Sequence, residues 1–114
     1  MHIEITDDPH RVIKAYGEID IANVSELSIA LHKAVELSPS GFILDISGID
    51  YIDSAGIQAV ISAYKRLCPA GGKLVILNNN EAINRLISIV NLDRLPNLYI
   101  SDDISFANNL LNKN

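Results

Sequence analysis

The chain has one cysteine, no tryptophan and few basic residues. The single cysteine, Cys68, excludes an intrachain disulfide and any zinc site built from several cysteines. Cys68 falls on the apolar side of a predicted helix, which favours a buried structural thiol over a reactive one. Nine Lys and Arg residues against 14 Asp and Glu give a formal charge of -5. This balance argues against nucleic acid or an anionic membrane surface as the partner.

Segments that direct a chain into or across a membrane are also lacking. No apolar run approaches the ~20 residues of a membrane-spanning helix. Residues 1–8 have neither the basic region nor the apolar run of a signal peptide. We therefore expect no direct membrane insertion and a cytoplasmic location.

Apolar side chains, by contrast, are abundant enough for one continuous core. The chain has 114 residues and is 48% hydrophobic, which predicts a single domain over residues 1–114. Its hydrophobic periodicity alternates between two and 3.6 residues and predicts the order β-β-α-β-α-β-α-β-α. We expect an α/β fold in which helices pack on a small mixed β-sheet, with an antiparallel opening hairpin and parallel later strands.

The predicted elements are bounded by turn and capping residues. Strands are expected at residues 3–6, 11–16, 42–46, 73–77 and 98–100. Asn23 and Glu26 have the spacing of a capping box for the first helix. Ser47 and Gly48 interrupt the apolar pattern, which predicts a loop between the third strand and the second helix. Asn80 and one of residues 101–103 are expected to cap the later helices, and residues 112–114 are expected to fray.

The stretch from Gly41 to Cys68 organises the rest of the chain. It combines a strand buried on both faces with a helix that opens at Asp53 and Ser54. Asp53 can cap this helix, which leaves the Ser54 hydroxyl free to face outward. The head of a helix favours an anion, including one made by modifying Ser54. Ala55 and Gly56 are small enough for another protein's backbone to approach closely.

The sequence motifs give little support for an enzymatic function. Ser54 does not lie in a Gly-x-Ser-x-Gly elbow, and the chain has no glycine-rich nucleotide-binding motif. His2, His10 and His32 share no metal-ligand spacing. Asp45, Asp50 and Asp53 could form a carboxylate pair, but acids in such loops more often act as caps and turn formers. An aspartyl-phosphate receiver with Asp45 as acceptor would need a Lys after the fourth strand, where Asn78 follows instead. We expect a protein that is not an enzyme and binds no metal.

A family resemblance then emerges from several segments. Residues 45–57, with Asp-Ser-Ala-Gly at 53–56, resemble the signature of STAS domains, specifically the bacterial anti-sigma factor antagonists. Residues 17–20, Gly-Glu-Ile-Asp, resemble a second motif of that family, and residues 71–74 and 82–92 also fit.

The resemblance assigns roles to individual residues. It implies that Ser54 is the phosphoacceptor and that Asp20 and Asp53 lie on the partner-binding face. We extend that face over Ala55, Gly56, Ile57 and Gln58. Many members have Ser or Thr where this chain has Ala55, and a small residue where it has Gln58. These departures bear on the identity of the partner more than on the fold.

The function implied by the resemblance is regulation of transcription. Members bind an anti-sigma factor that is also a serine kinase and so free a sigma factor. The kinase phosphorylates the serine and breaks the complex, and a phosphatase resets it. The ATP belongs to the kinase, so no cofactor is implied here. The alternative is a subunit of a transporter or stress-signalling assembly that is not phosphorylated.

Overall fold

The computed structural model describes residues 1–112. Its fold is built on one five-stranded mixed sheet. The strands, in both chain and spatial order, are β1 (His2–Thr6), β2 (Val12–Ile19), β3 (Gly41–Ile52), β4 (Lys73–Leu77) and β5 (Leu98–Ser101). The α-helices are α1 (Val24–Leu37), α2 (Ser54–Leu67), α3 (Glu81–Ile89) and α4 (Ile104–Asn112), and 3-10 turns follow at Cys68–Ala70 and Leu92–Arg94. The predicted element order is confirmed. Of residues 112–114, which were expected to fray, Asn112 is the last residue of α4. Residues 113 and 114, and with them the end of the predicted 1–114 domain, lie outside the described part.

The pairing of the strands also agrees with the prediction. β1 runs antiparallel to β2, whereas β2, β3, β4 and β5 are parallel neighbours. Helices α1, α2 and α3 connect the parallel strands, and Leu27, Val60 and Ile83 from these helices share one core with the sheet. Helix α4 covers the opposite face, where Ala107 and Leu111 complete a smaller core. No helix among residues 1–112 is both long enough and apolar enough to cross a bilayer.

Strand β3 lies at the centre of the sheet and is buried on both faces. Phe42, Leu44 and Ile46 contribute to the core beneath α1, α2 and α3, whereas Ile43 faces the core beneath α4. This burial explains the nearly continuous apolar run, because both faces of a central parallel strand are covered and neither needs polar residues.

The loop predicted from Ser47 onward is wrong, because β3 continues to Ile52. Its partner β2 also extends further than predicted, to Ile19, and supplies hydrogen-bonding groups along the way. The pairing of β2 with β3 is irregular at two points, where its register shifts. At Gly48 a Cβ atom would lie 2.4 Å from the Cδ1 atom of Tyr16, so this glycine makes room for a neighbouring ring rather than for a turn.

Two smaller predictions are also corrected. Asn23 precedes α1, but its side chain makes no capping bond to that helix. It turns back instead, accepting from the Asp20 amide at 3.0 Å and donating to the Glu18 carbonyl at 2.8 Å. Cys68 is only partly buried, because α2 ends at Leu67 and the chain leaves the core there.

The predicted caps of the later helices are confirmed. The Asn80 side chain accepts from the amides of Ala82 and Ile83 at the start of α3. For α4, the Asp103 carboxylate accepts from the Ser105 amide at 2.8 Å. These bonds satisfy amides that have no partner within their own helix.

Replacing Gly41 with Ala should lower the free energy of unfolding by about 3 kcal/mol. Gly41 has a φ of +140°, and a Cβ there would lie 2.5 Å from the Lys73 carbonyl oxygen and 2.7 Å from a Leu111 methyl group. Gly71→Ala is the matched control, because Gly71 also has a positive φ, +81°, but no atom within 4 Å of the added Cβ. We expect that control to lose about 1 kcal/mol. Urea unfolding of both variants measures the difference, and equal losses would contradict it.

Candidate functional site

The candidate site forms where β2 and β3 end side by side. Ile19 and Ile52, the last residues of the two strands, are register partners. Asp20 follows the first strand, while Asp53 and Ser54 follow the second. Parallel strands place their carboxyl ends at one edge of a sheet, so residues far apart in the chain meet there. The structure thus brings together Asp20, Asp53 and Ser54, as the sequence predicted.

Asp53 ties the two chain segments to each other. One carboxylate oxygen, Oδ1, accepts from the amides of Ala55 at 2.9 Å and Gly56 at 3.2 Å and thereby caps α2. The other oxygen, Oδ2, accepts from the amide of Ile21 at 3.1 Å. The Asp53 amide in turn donates to the Ile19 carbonyl at 3.1 Å. The predicted cap is confirmed, and the same carboxylate also fixes the connection between β2 and α1.

Ser54 is the first residue of α2 and is exposed. Within residues 1–112 its hydroxyl forms no hydrogen bond. Asp53 explains this freedom, because its carboxylate already satisfies the amides that a serine at a helix start would otherwise bond. The expected outward-facing hydroxyl is confirmed. Ser54 is therefore accessible from solvent, and the helix that follows fixes the position of its backbone.

Asp20 stabilises the neighbouring turn. Its carboxylate accepts from the amides of Ala22 at 3.0 Å and Asn23 at 3.2 Å. Its carbonyl accepts from the amide of Val24, the first residue of α1, at 2.9 Å. The Asn23 side chain closes the turn by accepting from the Asp20 amide. Internal hydrogen bonds therefore give this connection a defined shape.

The remaining residues of the predicted partner face divide by burial. Gln58 is exposed and Ala55 is half-buried, whereas Gly56 and Ile57 are buried. A Cβ on Gly56 would lie 2.6 Å from Ile52 Cγ1 and 2.8 Å from Ile19 Cγ2. Gly56 is therefore required for the close packing of α2 on the sheet. The burial of Gly56 and Ile57 does not support the expected direct approach of a partner to these two residues.

Charge is distributed unevenly around Ser54. Carboxylates stand in the segments that border it, at Asp20, Asp50 and Asp53, whereas the basic residues of α2, Lys65 and Arg66, lie in its last turn. An anionic group added at Ser54 would gain from the dipole of α2 but would face several like charges nearby. The site is thus poorly suited to hold such a group inside the protein.

The histidines form their contacts elsewhere. His32 lies between α1 and α2, with Nδ1 2.7 Å from Arg66 Nη1 and Nε2 3.4 Å from Ser62 Oγ. His10 contacts Asn112, and the His2 ring lies beside Tyr16. In the part of the chain that the structure describes, no group of three or more His, Cys, Asp or Glu side chains is placed to hold a metal ion.

Ile21 is the residue of this site that the sequence analysis missed. Its side chain is 77% exposed, and its amide is bound by Asp53. The available signal was an isolated apolar residue between the polar Asp20 and the start of a helix. The Gly-Glu-Ile-Asp motif ends at Asp20, and the sequence analysis assigned no role to Ile21.

Comparison with protein families matches residues 2–107 to the STAS domain. The chain belongs to the STAS domain family. An anti-sigma-B factor antagonist from Staphylococcus epidermidis is 30% identical over 91 residues, which is 80% of this chain and 84% of that protein.

Solved structures share the fold. The crystal structure of an anti-sigma factor antagonist from Mycobacterium paratuberculosis superposes with a TM-score of 0.84 at 24% identity, covering 98% of this STAS domain and 94% of that chain. The anti-sigma factor antagonist SpoIIAA in its unphosphorylated form gives 0.72 at 16% identity, with 99% and 98% covered. The phosphorylated form of SpoIIAA, a Bacillus cell fate determinant, gives 0.69 at 17% identity, with 96% and 97% covered. At these identities the likeness shows the fold alone.

Asp53→Ala should lower the free energy of unfolding by about 2 kcal/mol, because it removes a helix cap and the bond to the Ile21 amide together. Asp53→Asn, which keeps one acceptor oxygen, should lose less. Asp50→Ala, which removes an exposed carboxylate with no hydrogen bond within residues 1–112, should change stability by less than about 0.5 kcal/mol.

Urea unfolding gives these free energies, and amide hydrogen exchange gives the local effect. In Asp53→Ala the amides of Ile21 and Gly56 should exchange faster than in the parent protein. Equal stability of the Asp53→Ala and Asp50→Ala variants would show that the Asp53 carboxylate does not hold the site together.

Proposed function

We propose that this STAS domain is an anti-sigma factor antagonist that binds a serine-kinase anti-sigma factor, releases a sigma factor, and is switched off by phosphorylation of Ser54. The observation that carries the proposal is the exposed Ser54 hydroxyl, which forms no hydrogen bond within residues 1–112, directly after the Asp53 cap. Membership in the STAS family and the names of its relatives support the same reading.

Phosphoryl transfer at Ser54 requires little from this chain beyond position. The Ser54 oxygen attacks the γ-phosphorus of the ATP that the kinase holds, the bond to the bridging oxygen breaks, and ADP leaves. The hydroxyl proton passes to a base on the kinase, because the Asp53 carboxylate is occupied by backbone amides. The proposal therefore assigns no catalytic residue and no cofactor to this protein.

The phosphate would weaken binding through its charge and its hydration. It adds about -1.5 to -2 charges at neutral pH. Asp53 already uses the amides of Ala55 and Gly56, so the phosphate cannot replace its water with those donors. At an interface the phosphate must be stripped of water or must meet a like charge. A loss of about 3 kcal/mol corresponds to roughly a hundredfold in affinity.

Resetting the switch requires a phosphatase that hydrolyses phosphoserine at position 54. The exposure of Ser54 leaves room for such an enzyme as well as for the kinase. Because sigma factors direct RNA polymerase, the proposal places the protein in the cytoplasm. It involves no contact with nucleic acid by this chain.

Ser54→Ala should bind the kinase like the parent protein and accept no phosphate, whereas Ser54→Asp should weaken binding about 10- to 100-fold. Ser62→Asp is the control, because it adds the same charge to an exposed position of α2 roughly two turns further on. Its affinity should stay within about threefold of the parent. Titration calorimetry with the purified kinase and ADP measures binding, and intact-mass spectrometry after incubation with ATP measures modification.

One added phosphate that maps to Ser54 is the expected result. A phosphate at another residue, or equal binding by Ser54→Asp and the parent, would refute the switch. If the protein instead co-purifies with transporter or stress-signalling subunits and is never phosphorylated, the alternative from the sequence analysis replaces it.

A further inference from the structure

We propose that Ile21 is an apolar anchor that enters a recess lined by apolar side chains on the anti-sigma factor and helps to decide which anti-sigma factor this protein accepts. The inference rests on the proposed function and adds a specificity-determining residue to it. It is carried by the exposure of Ile21, its fixed backbone and its connection to Ser54 through Asp53.

The Ile21 side chain is exposed although it lies just beyond the buried end of β2. At 77% it is the most exposed large apolar side chain among residues 1–112, although Ile19, two residues earlier, is fully buried. A single exposed apolar residue is common on protein surfaces and needs no explanation by itself. The surroundings of Ile21 therefore have to distinguish an anchor from an ordinary surface residue.

The backbone at Ile21 is held from both sides. Its amide donates to Asp53 Oδ2 at 3.1 Å, and the preceding Asp20 is locked into a turn by the amides of Ala22 and Asn23. The Asn23 side chain adds two more bonds to the same turn. A residue presented in this way loses little conformational freedom on binding, which is the main cost of ordering a surface loop.

Asp53 connects Ile21 directly to the modification site. One of its oxygens binds the Ile21 amide and the other binds the first turn of the helix that begins with Ser54. A kinase that brings its ATP to the Ser54 hydroxyl therefore approaches the segment that carries Ile21. An apolar recess at that point would gain from burying the side chain, and a partner with a polar or charged group there would be disfavoured.

Ile29 provides a matched comparison within the same chain. Its side chain is 70% exposed, but it lies roughly one and a half turns into α1, and no bond connects it to Asp53 within residues 1–112. If exposure alone made an anchor, the two isoleucines would be equivalent. Only Ile21 is fixed at the edge that carries Ser54.

The test compares Ile21→Ala and Ile29→Ala with the parent protein in titrations against the purified kinase that phosphorylates Ser54, with ADP present. Ile21→Ala should weaken binding about 10- to 50-fold, as expected for the loss of three buried carbon groups. Ile21→Val should recover most of the affinity, and Ile29→Ala should stay within about twofold of the parent. Urea unfolding should be unchanged in all three variants, because both side chains are exposed.

The outcomes separate this inference from the proposed function. If Ser54→Asp weakens binding but Ile21→Ala does not, the anchor is refuted and the phosphorylation switch stands. If the parent protein does not bind the kinase, both fail. If sedimentation shows that the parent self-associates and that Ile21→Ala abolishes this, Ile21 serves a second copy of the chain and the proposal is overturned.

Discussion

The carboxylate of Asp53 is the interaction on which the arrangement of the site depends. It accepts from three backbone amides, two at the start of α2 and one at Ile21 in the connection between β2 and α1. One side chain thus caps a helix and fixes a distant segment beside it. Because it takes the donors at the head of α2, it leaves the Ser54 hydroxyl without a hydrogen-bond partner among residues 1–112. The freedom of Ser54 is a consequence of this cap.

The same interaction explains why the proposed phosphorylation of Ser54 would alter contacts with another molecule and leave the fold of this one unchanged. A helix start is ordinarily a favourable place for an anion. Here the favourable donors are occupied, and acidic residues border the position. A phosphate would remain hydrated at the surface, where it interferes with contact. A switch of this type requires no rearrangement of the core, which suits a small domain whose sheet is packed on both faces.

The sheet supplies the geometry that the site needs. Ile19 and Ile52 end their strands in register, so the segments that follow begin as neighbours. Gly56 lets α2 approach those two isoleucines closely and sets where the helix begins relative to the strands. The buried residues of the STAS motif therefore position the exposed ones. This division explains why a motif of contiguous letters contains both Ser54, which faces solvent, and Ile57, which faces the core.

Much of this protein follows from local patterns in its sequence. The element order, the cap at Asp53, the exposed Ser54 and the STAS family are all legible there, because periodicity, capping and motif spacing act over a few residues. The continuation of β3 past Ser47 and Gly48 could not be predicted from the sequence. It depends on the pairing with β2 and on the Tyr16 ring that occupies the space at Gly48. Nor could the bond between Asp53 and the Ile21 amide, whose partners are brought together only by the pairing of β2 with β3. Periodicity, helix caps and motifs involve residues that are close together in the chain, so the sequence alone determines them. Contacts between distant segments exist only once the sheet has formed.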